Sequence, residues 1–155
     1  MTTNEPTALA SLLALRTGTR EQAERSWVKA LRAHDAARAA LERGRQAVDA
    51  YRARSNQALD EARSSARTGA DFVAVDTLAR TIRDESRRLT AEVDALSKAA
   101  QAAAGQSEAA RAALARAQAG EKAVEQRLEA AAAVARSATI SAADDEADEL
   151  AAGRR

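Results

Sequence analysis

The 155-residue sequence is poor in the residues that build enzymatic sites and thick cores. It has no cysteine, which excludes disulfides, thiolate catalysis and cysteine-based metal sites. It has one Phe, one Trp, one Tyr and one His, whereas 45 residues are alanine. Larger apolar side chains contribute roughly 1.5–3 kcal/mol each when buried, and alanine contributes much less. The chain can therefore pack helix against helix but cannot fill a wide interior.

An excess of one charge and a long apolar run are also missing. The formal net charge is +1, with acids and bases interspersed, which argues against a nucleic-acid-binding or membrane-surface stripe. No stretch approaches the roughly 20 apolar residues of a membrane span. The N-terminal MTTNEPTALASLLALR lacks the basic region of a signal peptide. We therefore expect a soluble, intracellular protein that neither binds nucleic acid nor inserts into a membrane.

Helix breakers are scarce, and helix formers dominate. Pro6 is the only proline and lies where the first turn of a helix tolerates it. From there to Arg67 the only glycines are Gly18 and Gly44. Ala, Arg, Glu, Gln and Leu are strong helix formers, and 30% of the residues are charged. This composition is typical of long helices and coiled coils.

Two heptad rows follow when positions are taken alternately three and four residues apart. The first is free of charged side chains from Trp27 onward and comprises Trp27, Ala30, His34, Ala37, Leu41, Gly44, Val48, Tyr51, Ser55, Ala58, Ala62 and Ser65. Upstream, Arg16 and Arg20 break it. The second comprises Phe72, Val75, Ala79, Ile82, Ser86, Leu89, Val93, Leu96, Ala100, Ala103, Ser107, Ala110, Leu114, Ala117, Glu121, Val124, Leu128, Ala131, Ala135 and Ala138. Such alternation predicts a supercoiled packing row, and only Glu121 is charged in the second.

A turn separates the two rows. Gly69 is interpreted as the left-handed residue that ends the first helix, and Asp71 as the N-cap of the second. The sequence thus predicts an all-α fold, a long antiparallel two-helix coiled-coil hairpin over residues 1–140. The first helix is expected at about 5–67, the turn at about 68–71 and the second helix at about 72–140, with arms of roughly 90–100 Å. Residues 141–155 are expected to form an acidic, mobile tail.

Catalytic constellations are missing. His34 lies on the first row without Cys or His partners, and no Gly-rich phosphate loop, Ser/His/Asp set or carboxylate pair can be recognised. Trp27 and Tyr51 are interpreted as packing residues. We expect a protein that is not an enzyme and that holds no metal or cofactor.

The turn region is the most informative stretch, because large apolar residues cluster there. They are Phe72, Val73, Val75, Leu78 and Ile82. Phe72, Val75 and Ile82 belong to the second row, but Val73 and Leu78 do not. Either these residues form an exposed interaction patch, or they close the end of the hairpin against the first helix.

Several segments resemble the FliJ/YscO family of stalk proteins from flagellar and virulence type III secretion systems. They are LASLLALRTGTREQAER near the N-terminus, VDAYRARSNQALDEAR, DFVAVDTLARTIRDESRRL after the turn, ARAALARAQAGEKAVEQRL with its Lys122-x-x-Glu125, and the acidic DDEADEL. The Trp that commonly follows the Tyr-Arg pair in the family is missing from the second segment. The Ala/Arg character and the acidic ending favour the virulence branch.

The resemblance implies a cytoplasmic, non-catalytic central stalk, peripherally associated with a membrane-embedded secretion apparatus. In the family, the end carrying both termini enters a hexameric secretion ATPase, the tip reaches the cytoplasmic ring of the export gate, and members have been linked to secretion chaperones. Carried over here, the gate contact is Phe72, Val73, Val75, Leu78 and Ile82, and the ATPase contact is Leu12, Leu13, Arg16, Arg20 and Leu128. The alternative is a generic coiled-coil adaptor or scaffold, as a monomer or a homodimer.

Overall fold

The computed structural model consists of two long helices, α1 (Glu5–Ser65) and α2 (Gly69–Ala152), joined by a short turn. It describes the backbone of residues 5–152 and the side chains of residues 7–143 and 146. No strand occurs in this part of the chain, and the predicted all-α two-helix hairpin is confirmed. Helix α2 passes through residue 140 without a break and continues to Ala152, so residues 141–152 extend α2. The last three residues of the predicted tail lie outside the described residues.

The turn is built differently from the prediction. Gly69 does not have the left-handed backbone that was expected of it, and it is the first residue of α2. The N-cap is Thr68: its hydroxyl accepts from the Asp71 amide at 3.2 Å, while the Asp71 carboxylate accepts from the Thr68 amide at 2.7 Å. These reciprocal bonds form a capping box, which satisfies amides that the first helical turn leaves unpaired. Asp71 is therefore the third residue of α2 and not its N-cap, and α2 begins earlier than predicted.

One compact unit of the chain, Val28–Ala109, contains the turn with both arms beside it. Its most buried residues are Val48, Ala66 and Ala100, together with two serines, Ser55 and Ser107. Every predicted row position from Ala30 to Ser55 and from Val75 to Ser107 is buried or half-buried, which confirms both rows there. No described side chain is fully buried, as expected of two helices that pack on one face each.

The first row shifts as it approaches the turn. Ala58 and Ser65, which the heptad placed on it, are exposed, whereas Leu59 is half-buried and Ala66 is buried. The packed positions run Tyr51, Ser55, Leu59, Ala62 and Ala66, with two successive four-residue steps. An extra four-residue step locally unwinds a supercoil, because a helix has 3.6 rather than 3.5 residues per turn. The shift buries a leucine in place of an alanine.

The second compact unit, Met1–Trp27 with Ala110–Arg155, pairs the start of α1 with the later part of α2. Within it, the predicted positions of α2 are buried or half-buried from Ala110 to Ala131, and Val124 is the most buried. Ala135 and Ala138 are exposed, so the packing row ends earlier than the heptad predicted.

Candidate interaction surfaces

The first turn of α2 exposes two large apolar side chains, which we call the tip patch: Phe72, 60% exposed, and Val73, 67% exposed. The heptad had placed Phe72 on the packing row, and that prediction is wrong. The capping box explains the difference, because it fixes Asp71 against the turn and the packed positions of α2 then resume at Val75.

The other three apolar residues predicted for the tip are packed. Val75, Leu78 and Ile82 are half-buried. Val75 and Leu78 line a shallow groove together with Ala62 and Ala66 of α1. Each of the two interpretations left open by the sequence therefore holds for a different set of residues. These three residues close the end of the hairpin, and the tip patch remains exposed.

The turn beneath the tip patch is held by hydrogen bonds. The Arg67 guanidinium donates to the carbonyls of Ser64 and Ala66 at 2.8 and 2.9 Å, which satisfies acceptors at the end of α1. The Arg67 and Thr68 amides donate to the Asp71 carboxylate and hold its pKa below the usual range, with a further contribution from the Thr68 side chain. An ionised carboxylate also suits the positive end of the α2 dipole.

At the terminal end, three of the five predicted contact residues are packed. Leu12, Leu13 and Leu128 are half-buried. Arg16 is exposed, and its side chain lies against Gly120: a Cβ placed on that glycine would be 3.7 Å from Arg16 Nη1. Gly120 thus faces the Arg16 side chain at an ordinary van der Waals distance, whereas the space around Gly105 is open.

Arg20, the fifth predicted residue, belongs to a polar cluster inside the packing row. Its Nε lies 2.7 Å from Oε2 of Glu121, and its Nη1 lies 3.1 Å from Oε2 of Glu24. The Thr17 hydroxyl donates to the other Glu121 oxygen at 2.7 Å. The Glu121 side chain is only 14% exposed. This cluster explains both irregularities of the rows: Glu121 is satisfied by Arg20 and Thr17, and Thr17 replaces Arg16 at the packed position.

Three further apolar residues of the terminal unit are exposed, and none of them was predicted from the sequence as a contact residue. They are Leu15 (67%), Val134 (70%) and Ile140 (63%). Their exposure could have been predicted from the heptad, because all three lie between row positions. Most neighbouring residues outside the rows are polar or alanine.

The remaining candidates show packing roles. His34 is half-buried on the first row, with Nδ1 3.9 Å from an Asp35 carboxylate oxygen, and Trp27 and Tyr51 are half-buried as well. Among the described residues, no group of three or more His, Cys, Asp or Glu could hold a metal ion. Within the same range, neither helix has a stretch apolar enough to cross a membrane.

Comparison with known proteins gives no relative for this chain: no family model, curated protein or solved structure matches it.

Proposed function

We propose that this protein is the central stalk of a type III secretion ATPase complex, a non-catalytic hairpin that contacts the hexameric ATPase and the cytoplasmic ring of the export gate. The virulence branch is favoured over the flagellar one. The observation that carries the proposal is the tip patch. Phe72 and Val73 are exposed beside a well-capped turn, in a chain with one phenylalanine and few large apolar residues. An apolar pair held on a rigid turn is suited to protein contact.

The terminal end supplies the second proposed contact, with the ATPase. Of the two arginines implied by the family resemblance, Arg16 is exposed, whereas Arg20 is occupied by Glu24 and Glu121 within the chain. We therefore assign the contact to Arg16 together with the exposed Leu15. Arg20 would support it by holding the two helices together, and secretion chaperones remain further proposed partners.

ATP turnover of a purified hexameric type III secretion ATPase tests the ATPase contact. We expect the wild-type chain to stimulate turnover, Arg16→Glu to abolish the stimulation, and Phe72→Ala to retain it. Arg20→Glu is unsuitable as a contact variant, because it removes the Nε that lies 2.7 Å from Glu121 and puts a like charge beside that half-buried carboxylate, which disturbs the fold. Full stimulation by Arg16→Glu would remove this contact from the proposal, and no effect of the wild-type chain would remove the ATPase as a partner.

A coiled-coil scaffold is the second candidate, and the exposed apolar residues of α2 favour it. Val134 and Ile140 lie beyond the last packed position, Ala131, on a part of the helix whose described side chains are all exposed. A partner helix at this place would bury them. Binding of this chain to a helical protein outside the secretion apparatus, together with no effect on ATP turnover by the secretion ATPase, would support the scaffold.

A further inference from the structure

An exposed row of α1 carries a charge pattern that is complementary to itself. The row lies one residue after the packing row and alternates three- and four-residue steps. Its six charged members are Asp35, Arg38, Glu42, Arg45, Asp49 and Arg52, which we call the charge row. All six are exposed, and four of them line a surface groove with Ala39 and Leu41. Acids and bases alternate without exception along it.

Reversing the direction of the charge row exchanges every acid for a base. Asp35 then faces Arg52, Arg38 faces Asp49, and Glu42 faces Arg45. A second copy lying antiparallel, with a two-fold axis between residues 43 and 44, would therefore set each charge opposite its counter-charge. Each of the three pairs would occur twice, as a two-fold interface requires.

Apolar residues flank the charge row at both ends, and one pair of them keeps the same symmetry. Continuing the steps gives Val28 and Leu31 on one side and Asn56 and Leu59 on the other. Val28 faces Leu59 under the same two-fold axis, whereas Leu31 faces the polar Asn56. Leu31 is exposed, and Val28 and Leu59 are half-buried, Leu59 because the packing row shifts towards it near the turn. Burial of these residues at each end would supply apolar area that charge pairs alone lack.

Pairing within the same helix is the ordinary use of such alternation. The described ion pairs within 4 Å include none between two members of the charge row; Asp35 approaches only His34. The α2 residues that border a neighbouring groove, Thr90 and Val93, carry no charge that would compensate Arg45 or Arg52. Glu42 accepts a hydrogen bond from Gln46 Nε2 at 3.2 Å on the exposed face, and no described ion pair within the row competes with a surface from outside.

We infer that the charge row is the interface at which two copies of this chain associate antiparallel. The inference does not depend on the proposed stalk function, since it uses neither the tip patch nor the terminal unit. Exposed charge pairs are individually weak and salt-sensitive, so the dimer should be reversible and favoured at low ionic strength.

Sedimentation velocity of the full-length chain across a concentration and salt series is the test. We expect a reversible dimer at an ionic strength of about 0.01 M, where the Debye length is about 30 Å, and its loss towards 1 M. Two triple variants address the row: Arg38→Glu/Arg45→Glu/Arg52→Glu makes it wholly acidic, and Asp35→Lys/Glu42→Lys/Asp49→Lys makes it wholly basic. Each alone should associate at least about 100-fold more weakly, because like charges then face one another. Their equimolar mixture should form a heterodimer.

A matched control distinguishes an effect of the charge row from an effect of net charge. Arg32→Glu/Arg43→Glu/Lys98→Glu changes the charge as much as the acidic variant does, at exposed positions outside the row. It should still dimerise, and it should pair less well with the basic variant than the acidic variant does. Circular dichroism verifies that each variant is helical. A wild-type chain that stays monomeric at low salt, self-association of either row variant, or equal pairing by the control would each overturn the inference.

Discussion

Glu121 shows how a single residue sets the packing of the terminal unit. The heptad identified it as the only charge on the second row and identified Arg16 and Arg20 as breaks in the first. The contact between Arg20 and Glu121 was not predicted, although the two residues lie at comparable distances from the turn along two antiparallel arms. The contact with Thr17 had no signal of its own, because a threonine beside a row is common on any helix. A partly buried carboxylate needs partners, and the structure supplies both.

Removing the Glu121 carboxylate should destabilise the protein. Glu121→Ala leaves the Thr17 hydroxyl and the Arg20 Nε without their partner, although Arg20 keeps Glu24. We expect the free energy of unfolding to fall by about 1–2 kcal/mol. Urea denaturation measures this loss. A double-mutant cycle with Arg20→Met separates the interaction energy of the Arg20–Glu121 pair from the effect of the cavity. Glu125→Ala, an exposed change one helical turn away, is the control and should have little effect. Additive effects of Glu121→Ala and Arg20→Met would contradict the coupling.

The glycines should respond differently to alanine according to the space around them. Nothing lies within 4 Å of a Cβ added at Gly18 or Gly105, so Gly→Ala should stabilise the chain by about 0.8–1 kcal/mol at each, through helix propensity. At Gly44 the added Cβ would lie 2.9 Å from Leu96 Cδ1 and 3.5 Å from Val93 Cγ2. Repacking of that half-buried leucine should cancel some or all of the gain. Thermal denaturation ranks the three variants, and an equal gain at Gly44 would refute the close contact.

At the scale of the helices, the capping box is the main local determinant of where α2 begins. Thr68→Ala removes the hydroxyl that accepts from the Asp71 amide, and we expect a loss of about 1 kcal/mol in unfolding free energy. Thr68→Ser keeps the oxygen and should retain most of the stability. If both variants were as stable as the wild type, the capping box would not contribute to the fold.

The Asp71 carboxylate gives this turn a pH dependence of predictable sign. Its folded pKa lies below the ordinary 3.8, so ionisation favours the folded state. The contribution is present at pH values above the unfolded pKa and is lost as the pH falls through the folded value. The stability difference between wild type and Asp71→Asn should therefore be constant above about pH 5 and shrink in more acidic solution. Urea titrations over that range measure it, and a difference that grew on acidification would contradict the assignment.

The limits of prediction from sequence also lie at this scale. Both rows were predictable over most of their length, because row positions between Ala30 and Ser55 and between Val75 and Ala131 are free of charge except Glu121. The shift at Leu59 was not, since a strict heptad cannot show where an extra four-residue step relieves the drift of a straight helix. Phe72 was misplaced because the three- and four-residue stepping was extended into the first turn of α2, where the Thr68–Asp71 capping box sets the backbone.

In the whole molecule, the residues proposed to bind partners are distinct from the residues that hold the two helices together. The tip patch is exposed, so Phe72→Ser/Val73→Ser should change the unfolding free energy by less than about 0.5 kcal/mol per residue. Leu78→Ser, in the groove between the arms, should cost more because it places a hydroxyl in a packed apolar site. Chemical denaturation of both variants checks the distinction. A large loss of stability from the double tip variant would return Phe72 and Val73 to the role of closing the hairpin.

The most direct test of the proposed stalk is the affinity of the full-length chain for the purified cytoplasmic domain of the export gate, measured by isothermal titration calorimetry. Wild type and Phe72→Ser/Val73→Ser are compared, with Leu15→Ser as an exposed apolar control in the other unit. We predict binding by wild type and by Leu15→Ser, and a loss of at least about tenfold in the tip variant, corresponding to 1.4 kcal/mol or more. Equal binding by all three would place the contact elsewhere, and no binding by the wild-type chain would contradict the stalk.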